Sequence, residues 1–80
     1  LSFFGANAKG IAYGPVECEC DGRHILPMKE EIIERTIQKY ADAAALAQKC
    51  GFGMVMVNEG HVWMMHQFLS PLTNTRKDKW

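Results

Sequence analysis

The sequence has 80 residues, of which 48% are hydrophobic and 22% are charged. A chain of this length builds one small domain, whose single core is only marginally stabilising. Nine basic residues balance nine acidic ones, which gives no electrostatic basis for binding nucleic acid or an anionic membrane. No apolar run approaches the roughly 20 residues that span a bilayer, and the first residues lack the basic region and cleavage site of a signal peptide.

The three cysteines are Cys18, Cys20 and Cys50. They form neither an even set for disulfides nor the ligand spacing of a zinc site. We therefore interpret them as reduced thiols of a cytoplasmic protein. A small metal or redox site built from Cys18, Cys20 and a histidine is the alternative.

Residues 1–27 are rich in residues that interrupt regular structure. These residues are Gly5, Gly10, Gly14, Pro15, Gly22 and Pro27. Their distribution predicts a long loop, preceded by the end of a strand at residues 1–4. Loops of this length are uncommon in compact domains and are usually functional.

Residues 28–50 carry the clearest helical pattern of the chain. Apolar side chains recur at intervals of three and four, at Ile33, Ile37, Tyr40, Ala44 and Ala47. Such spacing places them on one face of a helix. Glu30 and Glu31 lie near the positive end of its dipole, and Gly51 provides a stop signal.

Residues 52–58 are predicted to form a strand. Residues 54–57 (MVMV) are apolar without alternation, which is typical of a parallel strand buried on both faces. Polar residues follow at once, from Asn58 to His61. In α/β folds, the carboxyl ends of parallel strands are where sites are built.

Residues 59–80 are predicted to form a loop, a short helix and a tail. Residues 62–69 can form the helix, which Ser70 and Pro71 would end. Helix, strand and helix in this order make one repeat of an α/β architecture. One repeat cannot cover its own strand on both sides, so we expect partners within a larger fold and an unstable or aggregating chain in isolation.

Asn58 and His61 lie three residues apart just beyond the predicted strand. An amide and an imidazole on one tight turn could together donate hydrogen bonds to a substrate carbonyl oxygen and stabilise negative charge there. The alternative is structural: Asn58 closes a turn and His61 caps the helix. Spacing alone does not decide between them.

Two further groups of residues have simple structural interpretations. The side chains of Trp63, Met64, Met65 and Phe68 recur at helical spacing, which is more typical of a core than of a cofactor pocket. Arg76 and Asp78 are predicted to lie in a solvated or salt-bridged loop.

Several of these features together resemble one enzyme family. They are the helix ending at Gly51, the Val55-x-Val57 pattern, His61, the run QFLSP at 67–71, and Asn74, Arg76 and Asp78 in the pattern NxRxD. Across residues 27–80 the chain is similar to the old yellow enzyme family. These are FMN-dependent ene-reductases and NADH:flavin oxidoreductases, including dienoyl-CoA and bile-acid reductases.

The resemblance implies an α/β fold that is a fragment of a (β/α)8 TIM barrel. The fragment would run from the end of the third strand through an active-site-side loop at 1–27, a helix at 28–50 and the fourth strand at 52–58. A catalytic loop, a short helix and a tail would follow at 59–80. FMN would bind at the carboxyl mouth of the barrel, with NADH or NADPH as reductant, and an iron–sulfur cluster elsewhere is left open.

The resemblance also implies roles for three residues. Asn58 and His61 would hold the oxygen of the substrate's activating group, with His61 near the flavin ring. Hydride would then pass from flavin N5 to the β-carbon of an enone, an enoate or an enoyl-CoA-like substrate. Trp63 stands where many members have the proton-donating tyrosine, and its indole N–H is no acid for this task.

Asn58, Val62 and Trp63 are departures from the family pattern, in which a histidine, a glycine and a tyrosine are usual. They leave open normal ene-reduction with a proton from water, activity mainly as an NADH:flavin oxidase, or impaired activity. They would also suit a non-catalytic α/β scaffold or interaction fragment derived from the family. On the enzyme interpretation the 80 residues act within a complete oxidoreductase and are inactive alone.

Overall fold

The computed structural model describes residues 10–20, 22–61 and 63–80. The strand end predicted at residues 1–4 lies outside the described residues. The elements are β1 (Ala12–Gly14), β2 (Cys18–Cys20), β3 (Arg23–Pro27), α1 (Glu30–Lys49) and α2 (Met64–Leu69). This is a small α/β arrangement, compatible with a piece of a barrel, and the described residues do not themselves close a barrel.

The three strands form one sheet in the order β1-β3-β2. β1 pairs with β3 in parallel, with Ala12 opposite Ile25, and β2 pairs with β3 antiparallel, with Cys20 opposite Arg23. The prediction of a continuous loop over residues 1–27 is therefore wrong for residues 12–27. Gly14 and Pro27 are the last residues of β1 and β3, and Pro15 directly follows β1.

Gly14 ends β1 at a close approach between the sheet and α2. A Cβ at this position would lie 3.0 Å from Cγ2 of Ile25 and 3.2 Å from Oε1 of Gln67. Both distances are shorter than ordinary van der Waals contacts of a Cβ. The absence of a side chain here therefore lets α2 lie against the ends of β1 and β3.

The helix predicted at 28–50 is confirmed as α1, and so is its stop at Gly51. Gly51 has φ of +92°, a left-handed conformation that glycine adopts without a Cβ penalty. Its N–H donates to the carbonyl of Gln48 and the Phe52 N–H donates to that of Ala47, both at 3.1 Å. This pair of bonds is a Schellman motif, which satisfies carbonyls that would otherwise be unpaired at the helix end.

The predicted buried strand at 52–58 is absent from the strands of the described chain. Phe52, Met54 and Met56 are 66%, 83% and 78% exposed here, and their burial on both faces within a larger fold stays a prediction. The physical reason is that a strand exists only through bonds to a neighbouring strand. In the described chain β1, β2 and β3 pair in one sheet, and 52–58 does not join it.

The core lies where the end of the sheet meets both helices. Met28, Ile33 and Met64 are buried together, and half-buried Tyr13, Ile32, Phe68 and Trp80 pack against them. The short helix predicted at 62–69 is confirmed as α2, beginning at Met64. Its Met64 and Phe68 belong to this core, as expected, whereas Leu69 is 63% exposed. None of the helices in the described residues is both long enough and apolar enough to span a membrane.

Candidate functional site

Asn58, Glu59, Gly60 and His61 lie in a turn that precedes Trp63 and α2. Oδ1 of Asn58 accepts a hydrogen bond from the Gly60 N–H at 2.9 Å. The Gly60 carbonyl in turn accepts one from the Trp63 N–H at 3.2 Å. These two bonds bring Asn58 and His61 into one turn, as the spacing predicted.

Asn58 is half-buried in this turn. Its Oδ1 accepts a hydrogen bond from the Gly60 N–H, and its Nδ2 amide carries two donor hydrogens. The structural interpretation of Asn58 as the residue that closes the turn is confirmed, and its role toward a substrate stays a prediction. The oxygen closes the turn, and the nitrogen can donate to an oxygen outside it.

His61 is exposed and has φ of +58°. A left-handed conformation costs roughly 1–2 kcal/mol for a residue with a Cβ, although histidine tolerates it better than bulky residues do. Among the described residues with a Cβ it is the only one in this region. The conformation keeps His61 out of α2, so the expected alternative role as a helix cap is wrong. The residue before α2 is Trp63, with extended backbone and no side-chain cap.

Trp63, at the position of the family's tyrosine, is half-buried next to the core residue Met64. Its indole N–H is a donor only and cannot deliver a proton at neutral pH. Glu59, in the same turn, is exposed.

Two apolar clefts lie away from this turn. One of about 270 Å³ separates α1 from α2, and residues such as Tyr40, Met65 and Trp80 line it. The Tyr40 hydroxyl and the Trp80 Nε1 are buried without a partner among the described residues, and burial raises the pKa of Tyr40. The other, of about 310 Å³, lies between β1 and the tail. Neither is lined by Asn58 or His61.

The hairpin of β2 and β3 carries an exposed ionic cluster that the sequence did not predict. His24 Nε2 lies 2.8 Å from Glu17, and its Nδ1 lies 2.6 Å from Glu19. The hydrogen bond to Glu19 is the main cause of a raised pKa of His24. The Cys18 thiol is free and exposed. In the part of the chain that the structure describes, no set of three or more metal-binding side chains comes together.

The main residue that sequence reasoning missed is Arg76, which was expected in a solvated loop. Its side chain is only 10% exposed. Nη1 donates to the carbonyls of Pro15 and Met28, both at 2.7 Å. The predicted salt bridge to Asp78 is confirmed, and the hydrogen bond from Arg76 holds the pKa of Asp78 below its ordinary value. The only signal in the sequence was the NxRxD pattern itself.

Comparison with known proteins gives a family to which this turn can be related. The model of the NADH:flavin oxidoreductase / NADH oxidase family matches residues 7–80. The chain belongs to this family. The match includes the turn at 58–63 and the NxRxD residues, and the resemblance to old yellow enzymes is thereby confirmed.

Relatives of the NADH:flavin oxidoreductase family extend well beyond this chain. It is 38% identical over 77 residues to an NADPH dehydrogenase of Bacillus velezensis and 32% identical over 77 residues to one of Bacillus subtilis. Each match covers 94% of this chain and 23% of the relative. An NADPH dehydrogenase of Bacillus pumilus is 38% identical over 75 residues, 91% of this chain and 22% of that protein. The chain thus spans about a quarter of these relatives. No solved structure matches it significantly.

Proposed function

We propose that this chain acts within an FMN-dependent, NAD(P)H-linked oxidoreductase that reduces activated C=C bonds, and that Asn58 and His61 bind the substrate's activating oxygen. The observation that carries the proposal is the turn itself. It leaves the Nδ2 group of a half-buried Asn58 able to donate, three residues from an exposed imidazole. The family and the name NADPH dehydrogenase of three relatives support a flavin and a nicotinamide reductant.

The chemistry of these two donors fits an oxygen that becomes negative during reaction. Hydride arriving at the β-carbon of an enone or enoate drives electron density onto the carbonyl oxygen. Hydrogen bonds from Asn58 and His61 would strengthen as that charge develops, which lowers the barrier rather than merely improving binding. A neutral imidazole can donate from one ring nitrogen, so both residues serve without changing protonation state.

Bound FMN would supply the hydride, and NAD(P)H would then reduce the oxidised flavin again. We propose that the exposed ring of His61 contacts the flavin edge, as the resemblance to the family implies. We propose that the phosphate-binding loops, the reductant site and the other strands of a (β/α)8 barrel lie outside these 80 residues, with 52–58 as its fourth strand. The exposed apolar side chains of 52–58 support that placement.

The second half of the reaction adds a proton to the α-carbon. Trp63 cannot provide it, and Asn58 carries no titratable proton. We therefore propose water as the source, so that hydride and proton together saturate the C=C bond. This predicts slow turnover relative to members that have a tyrosine at the position of Trp63.

The deciding experiment begins with the reading frame around this segment, followed by purification of the product that contains it. Flavin absorbance and NADPH-dependent reduction of cyclohexenone should both be found. Asn58→Ala should lower kcat by about 100-fold, the order measured for loss of one oxyanion donor, while flavin content stays constant. A colourless product would overturn the proposal in favour of a non-catalytic scaffold.

Substitutions toward the family pattern test the proton step. Asn58→His with Trp63→Tyr should raise enone turnover, because a tyrosine hydroxyl can deliver the α-proton within the site. Trp63→Phe is the matched control, since it changes the ring without adding an acid. If the tyrosine variant turns over no faster than the phenylalanine variant, Trp63 does not limit the reaction.

A further inference from the structure

Arg76 joins the ends of two parallel strands. Its Nη1 donates to the carbonyls of Pro15 and Met28, the residues that directly follow β1 and β3. Because the strands are parallel, these carbonyls lie at the same edge of the sheet. A single guanidinium nitrogen thus fixes the carboxyl ends of β1 and β3 relative to each other.

Asp78 makes this buried charge tolerable. Nε of Arg76 donates to Oδ1 of Asp78 at 3.0 Å, and Nη2 donates to Oδ2. A guanidinium removed from water without a paired carboxylate would be strongly unfavourable, and the two-point geometry also fixes the orientation of the guanidinium plane. Cζ of Arg76 lies over the Phe68 ring, 5.9 Å from its centroid, which adds a contact to α2.

Asn74 connects the same network to the end of α2. Its Nδ2 donates to the carbonyls of Phe68 and Trp80, both at 2.9 Å. Its Oδ1 accepts from the Arg76 N–H at 3.2 Å. We call Asn74, Arg76 and Asp78 the Arg76 network.

The opposite end of α2 carries the candidate site. α2 is only six residues long, and the Trp63 N–H before it donates to the Gly60 carbonyl within the turn of Asn58 and His61. A helix of this length acts as a rigid connection of about 9 Å. Any movement of its carboxyl end is therefore passed to the turn at its amino end.

We propose that Arg76 is a positioning residue for the substrate-oxygen donors, acting through α2 to fix Asn58 and His61 relative to the ends of β1 and β3. This inference rests on the proposed function for its catalytic readout. The chemistry needs such a device, because a misplacement of about 1 Å between donor and reacting group can cost on the order of 100-fold in rate. The two hydrogen bonds within the turn fix its shape, and the Arg76 network fixes its position relative to the strands.

The catalytic test uses the intact flavoprotein that contains this chain. Arg76→Gln should lower kcat for enone reduction by about 10- to 100-fold, with flavin content and KM for NADPH unchanged. Arg35→Gln is the matched control, since Arg35 is exposed on α1, and it should behave as the parent. Combining Arg76→Gln with Asn58→Ala should cost clearly less than the product of the two single losses, because part of the Arg76 effect acts through Asn58. Additive losses would overturn the proposal.

Hydrogen exchange provides a readout that does not depend on activity. Arg76→Gln should speed exchange of the Gly60 and Trp63 amides about tenfold or more while α1 amides keep their protection. Asn74→Ala, which leaves Arg76 in place, should give the same local pattern and serves if Arg76→Gln does not fold. Unchanged exchange at Gly60 and Trp63, or equal loss across α1, would refute positioning. An absence of flavin in the parent would instead refute the proposed function, and the exchange result would still stand.

Discussion

Met64→Ala should destabilise the 80-residue chain far more than the same change at Met54. Met64 is 2% exposed in the core with Met28 and Ile33, whereas Met54 is 83% exposed. Replacing a buried methionine by alanine costs about 2–5 kcal/mol, from lost transfer free energy and the cavity left behind. A core of this size rarely supplies more than about 3–5 kcal/mol, so this loss is most of the total. Met54→Ala should change stability by less than about 0.5 kcal/mol.

Urea denaturation followed by tryptophan fluorescence measures both variants. With a urea dependence of about 1.5 kcal/mol/M, Met64→Ala should lower the midpoint by about 1–3 M, and Met54→Ala should leave it nearly unchanged. Equal losses for the two variants would show that the core is not where the structure places it. In the complete oxidoreductase proposed above, Met54→Ala should become costly, because a neighbouring strand and helix would then cover residues 52–58.

Three further variants test the packing and the ion pairs. Gly14→Ala should destabilise by about 1–3 kcal/mol through overlap with Ile25, and a neutral result in thermal unfolding would contradict the close approach. Asp78 has a lowered pKa beside Arg76, so its contribution to stability is present above pH 3.8 and is lost as acid protonates it. The loss of stability in Asp78→Asn should therefore shrink below that pH, and a loss that stays constant with pH would argue against the pair. His24 has a pKa raised above 6.5, so its stabilisation is present below that pH and is lost as pH rises. His24→Gln should therefore lose this dependence of stability on pH. A stability profile like that of the parent would show that His24 does not cause it.

The helices could be predicted because their signals are local. In α1, apolar spacing, acidic residues at its start and Gly51 at its end all agree, and the Schellman bonds at Gly51 follow from the same signal. The predicted face was only partly right. Ile33 is buried, but Ile37 is 51% exposed, because α1 extends past the part of the core that covers its first turns.

The sheet was missed for a different reason. The dipeptide Asp21-Gly22 between two short strands is a strong hairpin signal, but together with the neighbouring glycines and prolines it predicts a loop. At 52–58 the error was of the opposite kind. An apolar run indicates the ability to form a strand, but pairing depends on a partner, which local sequence does not contain.

The turn that carries the candidate site was expected from spacing, and the role of its residues stays a prediction. Spacing placed Asn58 and His61 on one turn, and the resemblance gave them a role. Neither could show that Oδ1 of Asn58 is used by the Gly60 N–H, or that His61 has a left-handed backbone. The burial of Arg76 was also beyond reach, because its partners are carbonyls whose positions only the fold determines.

The contacts of Arg76 have a consequence for the order in which the fold is completed during synthesis. Arg76 bonds to Pro15, 61 positions earlier in the chain, and to Met28, 48 positions earlier. β1, β3, α1 and α2 all precede Arg76 in sequence. A nascent chain that has emerged as far as residue 75 can already form every helix and strand described here. The strand ends and α2 would then be held together only once residues 76–78 have emerged, so the donor turn would acquire its place after these elements have formed.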